Sequence, residues 1–323
     1  MDKGSSPALS FLELLHHPWF ESMTYPYAIY DVFTQTPFAG NPLAVVFDAQ
    51  GLTDEAMQAI TCEFNLSETV FVLPPEIAGH SARIRIFTPA HELPFAGHPT
   101  VGTAVALMER MQPNTYLNLV LEENIGPVSC TVQSDGQSAA FARFVLPRLS
   151  ESVPAQLNAQ ELAGALGLAP AQLCFDGHQI GIWSAGVPFL MVPVNSLEAV
   201  NYLHFDAKAW MQAAPLVEGR TVSAYVYCRG GVSAEAHFHA RAFVPDMGLS
   251  EDPATGAAVA AMTGALYAAE GWADGTRALL IEQGFAMGRP SQIYVELTFA
   301  QGLMKSASIG GFAVRIANGN LAL

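Results

Sequence analysis

A chain of 323 residues, 51% of them hydrophobic, is long enough to bury a core in each of two domains and too apolar to be disordered. Its 29 acidic and 14 basic residues leave a formal charge of −15, which repels phosphate backbones and anionic lipid and so excludes nucleic acid and membrane surfaces as partners. No apolar run reaches the roughly 18 residues of a membrane span, and four scattered cysteines with no CxxC pair imply reduced thiols, no structural zinc and a cytoplasmic location.

Residues 1–23, MDKGSSPALSFLELLHHPWFESM, lack the basic start and clean apolar centre of a signal peptide. They are set aside as an appended helix or an upstream start before Met23, and His16 and His17 go with them. From Tyr27, AIYDVFTQTPF runs into AGNPLAVVFD, two apolar runs broken by Gly40, Asn41 and Pro42 as in a tight connection. LTDEAMQAITCEFN predicts a helix with Thr53 as N-cap and Asp54 and Glu55 in the first turn, and SETVFVLP a strand beginning near Glu68. ARIRIFTP is a further strand, followed by a turn that opens an alanine-rich helix ending near Met111. Three short strands follow from Leu117, then a proline- and serine-bearing linker leading into a short helix. The boundary falls near Ser150, giving a first half over 24–150 and a second over 151–323, with a terminal strand free to cross back.

The second half repeats the first. HPTVGTAVALM, His98 to Met108, returns as DPATGAAVAAM, Asp252 to Met262, and LVLE from Leu119 matches LLIE from Leu279. In both copies a strand enters a polar turn and the turn opens a helix apolar on nearly every face, which has to be surrounded. The simplest arrangement is α+β: a curved sheet or open barrel around one central helix in each half. Free N–H groups and the positive dipole end gather at each helix start, so two such turns facing one another make a site for a small anion.

No GxGxxG, GxxxxGK[ST] or GxSxG segment is present, so no nucleotide or other cofactor is expected. HELPF at His91 has no second histidine and His237 with His239 no third ligand, so metal is not expected either. Three candidates remain. Glu68 opens a buried-looking strand, where burial raises a carboxyl toward the range useful for proton transfer. His98 sits at a helix start that disfavours the imidazolium, and Asp252 takes the matching place in the second copy. Locally each also reads as an ordinary residue: a surface glutamate, a packed helix-start histidine, a capping aspartate.

The segments DVFTQTPFAGNPLAVV, NLSETVFV, RIFTPAHELPFAGHPTVGTA and GLSEDPATGAA, in this order, closely resemble the PhzF-like proteins of phenazine biosynthesis. The resemblance implies the diaminopimelate epimerase fold, with an active site between two similar halves. It implies Glu68 as catalytic acid/base, His98 and Asp252 as its cleft partners, Asn41 as a cleft-lining group, and the amides around Gly97, Gly256 and Ala257 as the seat of a substrate carboxylate. A homodimer follows from the same likeness. Ala257 stands where the family often carries serine, which removes a hydroxyl contact and points away from the phenazine enzyme's own substrate. None of the four cysteines falls in either helix-start turn, so racemisation by a cysteine pair is disfavoured. The internal repeat sets Gly256 over Gly102, whereas the family comparison pairs it with Gly97; both registers stay open.

The expected function is thus a cofactor-independent isomerase moving a proton between carbons of a small carboxylate. The alternatives are an epimerase using Glu68 and His98 as a base pair, and a non-catalytic interaction protein that retains the fold. Arg289, in the GRPS turn, is the nearest rival to the helix starts for the carboxylate.

Overall fold

The computed structural model describes residues 24–111, 116–136, 139–245 and 250–323, so the expected leader over 1–23 lies outside the described residues. The first half contains β1 (Thr24–Val32), β2 (Asn41–Val46), α1 (Asp54–Phe64), β3 (Glu68–Leu73), β4 (Ala82–Phe87), β5 (Glu92–Leu93), α2 (Gly97–Met111), β6 (Tyr116–Glu123), β7 (Gly126–Gln133) and β8 (Ala140–Val145). The second contains β9 (Glu151–Val153), α3 (Ala159–Ala165), β10 (Gly181–Ser184), β11 (Pro188–Pro193), α4 (Leu197–Tyr202), α5 (Ala207–Ala213), β12 (Leu216–Val217), β13 (Arg220–Thr221), β14 (Ser223–Arg229), β15 (Phe238–Phe243), α6 (Gly256–Glu270), β16 (Gly275–Gln283), β17 (Ser291–Ala300) and β18 (Leu303–Ala322). The fold is α+β, and no described helix is long and apolar enough to cross a membrane.

Local signals in the sequence act as physics requires. Thr53 caps α1 by accepting from the Ala56 N–H, and Asn65 ends that helix in the left-handed region at φ 50°, which releases the chain into β3 at Glu68. The sheet runs β1-β2-β3-β4-β6-β7-β8-β18, and β18 also pairs with β1. The first half is therefore a closed barrel by its pairings rather than an open one. It wraps α2, whose residues from Gly97 to Met108 are all buried. In the second half β18 continues through β17, β16, β15, β14, β11 and β10 to the edge strand β9, curving over α6.

Two findings go beyond the sequence reading. The two central helices touch, and one apolar cluster runs from Val101 and Val105 through Ala258 and Val259, so the halves share a continuous core instead of holding separate ones. A second core lies on the far side of β10, β11 and β14, where α3, α4 and α5 bury Leu162, Val200 and Trp210. The Trp210 indole donates to the Val222 carbonyl at 2.9 Å, which satisfies the one polar group its burial would orphan.

Candidate active site

The repeat sequence is mirrored by a close approach of the two helix starts. A Cβ built on Gly97 would lie 2.6 Å from the Gly256 Cα, and one on Gly256 2.7 Å from the Gly97 Cα. That contact pairs Gly97 with Gly256 and rules out the Gly102 register that the repeat suggests. His98 is consequently inside the first turn of α2, whereas Asp252 precedes α6 and bridges back to Ala242. The two residues do not occupy matching places; they reach the same spot from different local structures.

Around this contact Glu68, His98, Gly97, Asp252, Gly256 and Ala257 line one small pocket, walled by apolar groups that include Leu93, Phe95, Val187, Phe189 and Val244. Its volume is about 20 Å³, room for roughly one water molecule. The first-half groups are set by β3, which begins at Glu68 in parallel register with Leu43, and by the first turn of α2. Asn41 is not a wall of this pocket. Fully buried behind it, its amide donates to Asp252 Oδ1 at 2.8 Å and the Ala254 carbonyl at 2.9 Å, and lies 3.2 Å from His98 Nδ1. It ties the first half to the turn of the second.

The electrostatics separate the two carboxyls. Asp252 takes hydrogen bonds from Thr255 Oγ1, Asn41 and Ser67, which oppose the larger effect of burial and leave its carboxyl at about 6. Glu68 has no such donors; burial and then the Asp252 charge push it well above the usual carboxylate range. Burial pushes the His98 imidazole down to about 3. Burial thus favours the neutral forms of Glu68 and His98, while the donors around Asp252 favour its carboxylate. Glu68 Oε2 and His98 Nε2 are 3.3 Å apart, and neither atom has a hydrogen-bond partner among the described residues.

Arg289 does not reach the pocket. Its guanidinium pairs with the buried Asp31 and donates to the carbonyls of Gly40 (2.7 Å) and Ala39 (2.8 Å), so it braces the turn that carries Asn41. Arg289→Met is therefore expected to leave carboxylate binding in place while costing roughly 1–3 kcal/mol of stability, because Asp31 keeps its burial and loses its partner. Calorimetric titration with acetate, beside urea unfolding, separates the two; lost binding with an intact fold would return the anion site to the arginine.

Extending the LVLE/LLIE match by one residue exposes a pair that sequence reading passed over, Glu123 and Gln283. Gln283 accepts from the Thr255 N–H and donates to Thr255 Oγ1 and the Asp252 carbonyl, clamping the approach to α6. Glu123 does the same for α2, receiving the Ala96 N–H and lying 2.7 Å from Thr100 Oγ1. That hydroxyl also sits 2.7 Å from the Ala96 carbonyl, which can only accept. Its single proton can serve only one of the two acceptors at a time, and burial pushes the Glu123 carboxyl up to about 8 against the hydrogen bond from Thr100. Neutral Glu123 is a stand-in for the amide.

A carboxyl raised in the fold contributes its full stability below the unfolded value, near 4.5, and loses it as pH rises toward 8. Glu123→Gln is accordingly expected to match the wild type at acid pH and gain on it by about 1.4 kcal/mol per pH unit through that window. The neighbouring Cys130 thiol, also pushed up by burial, stays neutral throughout. Urea midpoints of both proteins from pH 4 to pH 8 read the effect; a constant difference would refute it.

Known proteins share this arrangement of chain. A family model described as phenazine biosynthesis-like protein, PhzC-PhzF, matches residues 30–319. An uncharacterised isomerase of Mesorhizobium japonicum is 52% identical over 91% of this chain and 98% of its own. The trans-2,3-dihydro-3-hydroxyanthranilate isomerase of Pseudomonas aeruginosa is 34% identical over 91% and 98%. Among solved structures, the PhzF-family phenazine biosynthesis protein of Bacillus anthracis superposes with a TM-score of 0.82 at 28% identity, covering 93% of this chain and all of its own.

Proposed function

The chain belongs to the phenazine biosynthesis-like PhzC-PhzF family, whose similar members are isomerases, and on that premise we propose that it is a cofactor-independent isomerase moving one proton between two carbons of a small unsaturated carboxylate. The observation that carries this reading is the geometry: the Glu68 carboxyl, its acidity suppressed by burial, is enclosed by apolar walls beside two helix starts. The N–H groups of Gly97, His98, Gly256 and Ala257 lead their helices without an intrahelical acceptor and offer the carboxylate its seat. His98 and Asp252 orient a polar substituent and steady developing charge.

In the proposed sequence Glu68 begins as the acid, the form that burial favours. The Glu68 proton adds to one carbon of an electron-rich double bond, whose π pair forms the new C–H bond and leaves a cation stabilised by an attached nitrogen or oxygen. The resulting Glu68 carboxylate then removes a proton from a second carbon on the same face, the C–H pair becomes the new double bond, and the residue is restored. Exclusion of water lets one carboxyl serve as acid and then as base. The P. aeruginosa relative acts on trans-2,3-dihydro-3-hydroxyanthranilate, and an enamine or enol acid of that general size is the proposed substrate class.

Geometry weighs against the epimerase alternative. Inversion by two bases needs one on each face of the carbon, yet Glu68 Oε2 and His98 Nε2 lie 3.3 Å apart with no space for a carbon between them. Isotope tracing tests the choice, with trans-2,3-dihydro-3-hydroxyanthranilate as the first compound tried. With donation first, the deuteron taken from the second carbon stays on Glu68 and, unless it washes out to solvent, appears at the other carbon in the product of the next turnover, whereas a product with its double bonds unmoved and one centre inverted would support epimerisation. No exchange with any unsaturated carboxylate would favour the non-catalytic reading. A homodimer is proposed from the family resemblance alone, and sedimentation reads it.

A further inference from the structure

The inner pocket, at about 20 Å³, is too small for an acid of several carbons. Leu93 and Val187 also bound a second cavity of about 290 Å³ between the halves. The first half contributes the stretch from His91 to Pro94; the second contributes the turn at Gly186, the β12–β13 hairpin and the start of β14. The two cavities are thus neighbours across Leu93 and Val187.

The polar groups of the chamber are unequally committed. Glu92 is held in a bidentate pair by Arg85 and accepts from Asn124. Glu218, on the hairpin turn, is exposed. Arg220 reaches from the second half to the first, donating to His91 Nε2 at 2.6 Å. Arg241 holds Glu251 and Arg85 holds Glu92, but Arg220 has no carboxylate partner among the described residues. In a chain of net charge −15 this is a conspicuous place to leave a guanidinium unpaired. Its planar fork matches a carboxylate, and a cation at the mouth of a cleft also draws anions inward.

We propose that the outer chamber is a second substrate subsite in which Arg220, with His91 beside it, takes a distal carboxylate, making the preferred ligands dicarboxylates. This rests on the proposed inner site as the seat of the first carboxylate. Arg220 is then a specificity-determining residue outside the proton-transfer machinery, and the HELPF segment, which fits no metal motif, supplies its neighbour.

Calorimetric titration of the full chain with matched probes, glutarate against valerate and adipate against caproate, tests it. The wild type is expected to bind the dicarboxylate of a pair roughly 10- to 100-fold more tightly. Arg220→Met brings that affinity down to the monocarboxylate level and leaves the monocarboxylate unchanged; Arg220→Lys retains part of the preference. The residue is exposed, so both variants should melt as the wild type does. Equal affinities within a pair, or a preference that survives Arg220→Met, would overturn the proposal while leaving the inner site standing. Dicarboxylates that bind through Arg220 when monocarboxylates do not bind at all would support the chamber and sink the inner-site reading. Binding of neither class defeats both.

Discussion

Glu68→Gln is expected to lower turnover by at least roughly 10²- to 10⁴-fold, and further if one carboxyl performs both transfers, with substrate affinity nearly unchanged. The amide keeps the shape of the neutral acid but can neither release nor recover a proton. Burial pushes Glu68 well above the value near 4.5 at which the unfolded chain ionises, so the fold of Glu68→Gln should match the wild type at acid pH and be firmer than it as pH rises above that value. The wild-type rate adds a second signature. It should rise through about pH 6 as Asp252 ionises and fall on the alkaline side as Glu68 deprotonates. Steady-state kinetics on a verified substrate, with circular dichroism as a control for folding, decide the matter; activity within tenfold of wild type would remove Glu68 from the mechanism.

Much of this site is legible in the chain because the signals are chemical. Thr53, Asp54 and Glu55 announce α1, and the break after it delivers Glu68 to the head of a buried strand. Register is a different kind of information. HPTVGTAVALM and DPATGAAVAAM align through alanine, glycine, valine and threonine, the residues any fully buried helix accepts, so letter matching favours Gly102 over Gly256. Packing favours Gly97, since only the first helical glycines can meet backbone to backbone. The LVLE/LLIE match further along carries charged residues with definite partners. Glu122 accepts from the N–H groups of Glu76 and Ile77, and Glu282 from those of Val232 and Ser233, so this later match reports true equivalence. Of the helical layer over the second half, α3 is the short helix expected after the linker, while α4 and α5 are announced only by their caps, Ser196 and Asp206, each too weak alone to define a helix of six or seven residues. Asn41 looked cleft-lining because a polar residue in a glycine–proline turn can point either way. Which way it points depends on Asp252 and Ala254, far along the chain, and no local pattern encodes that.

The glycine contact itself should tolerate almost nothing. In Gly97→Ala the new methyl would meet the Gly256 Cα at 2.6 Å, its carbonyl carbon at 2.8 Å and the Ala257 nitrogen at 3.2 Å, all backbone atoms with no rotamer to relieve them. Both helices are packed inside their sheets, so separating them strains the shared core, at roughly 1–3 kcal/mol. Activity should suffer more than stability. The methyl lies over the N–H groups proposed to seat the carboxylate, in a pocket of about 20 Å³ that has no room for both. A shift of about 1 Å between the helix starts also moves His98 and Glu68 relative to the turn that holds Asp252, a displacement worth roughly 10²-fold by itself. Gly256→Ala should reproduce the loss, since its methyl meets the Gly97 Cα at 2.7 Å and the His98 nitrogen at 3.2 Å. The pattern differs from that of Glu68→Gln, where binding survives and chemistry stops; here acetate binding disappears with turnover while most of the unfolding free energy remains. Titration with acetate and urea unfolding of both glycine variants check it, and a Gly97→Ala protein that binds acetate as tightly as the wild type would show that the anion rests elsewhere.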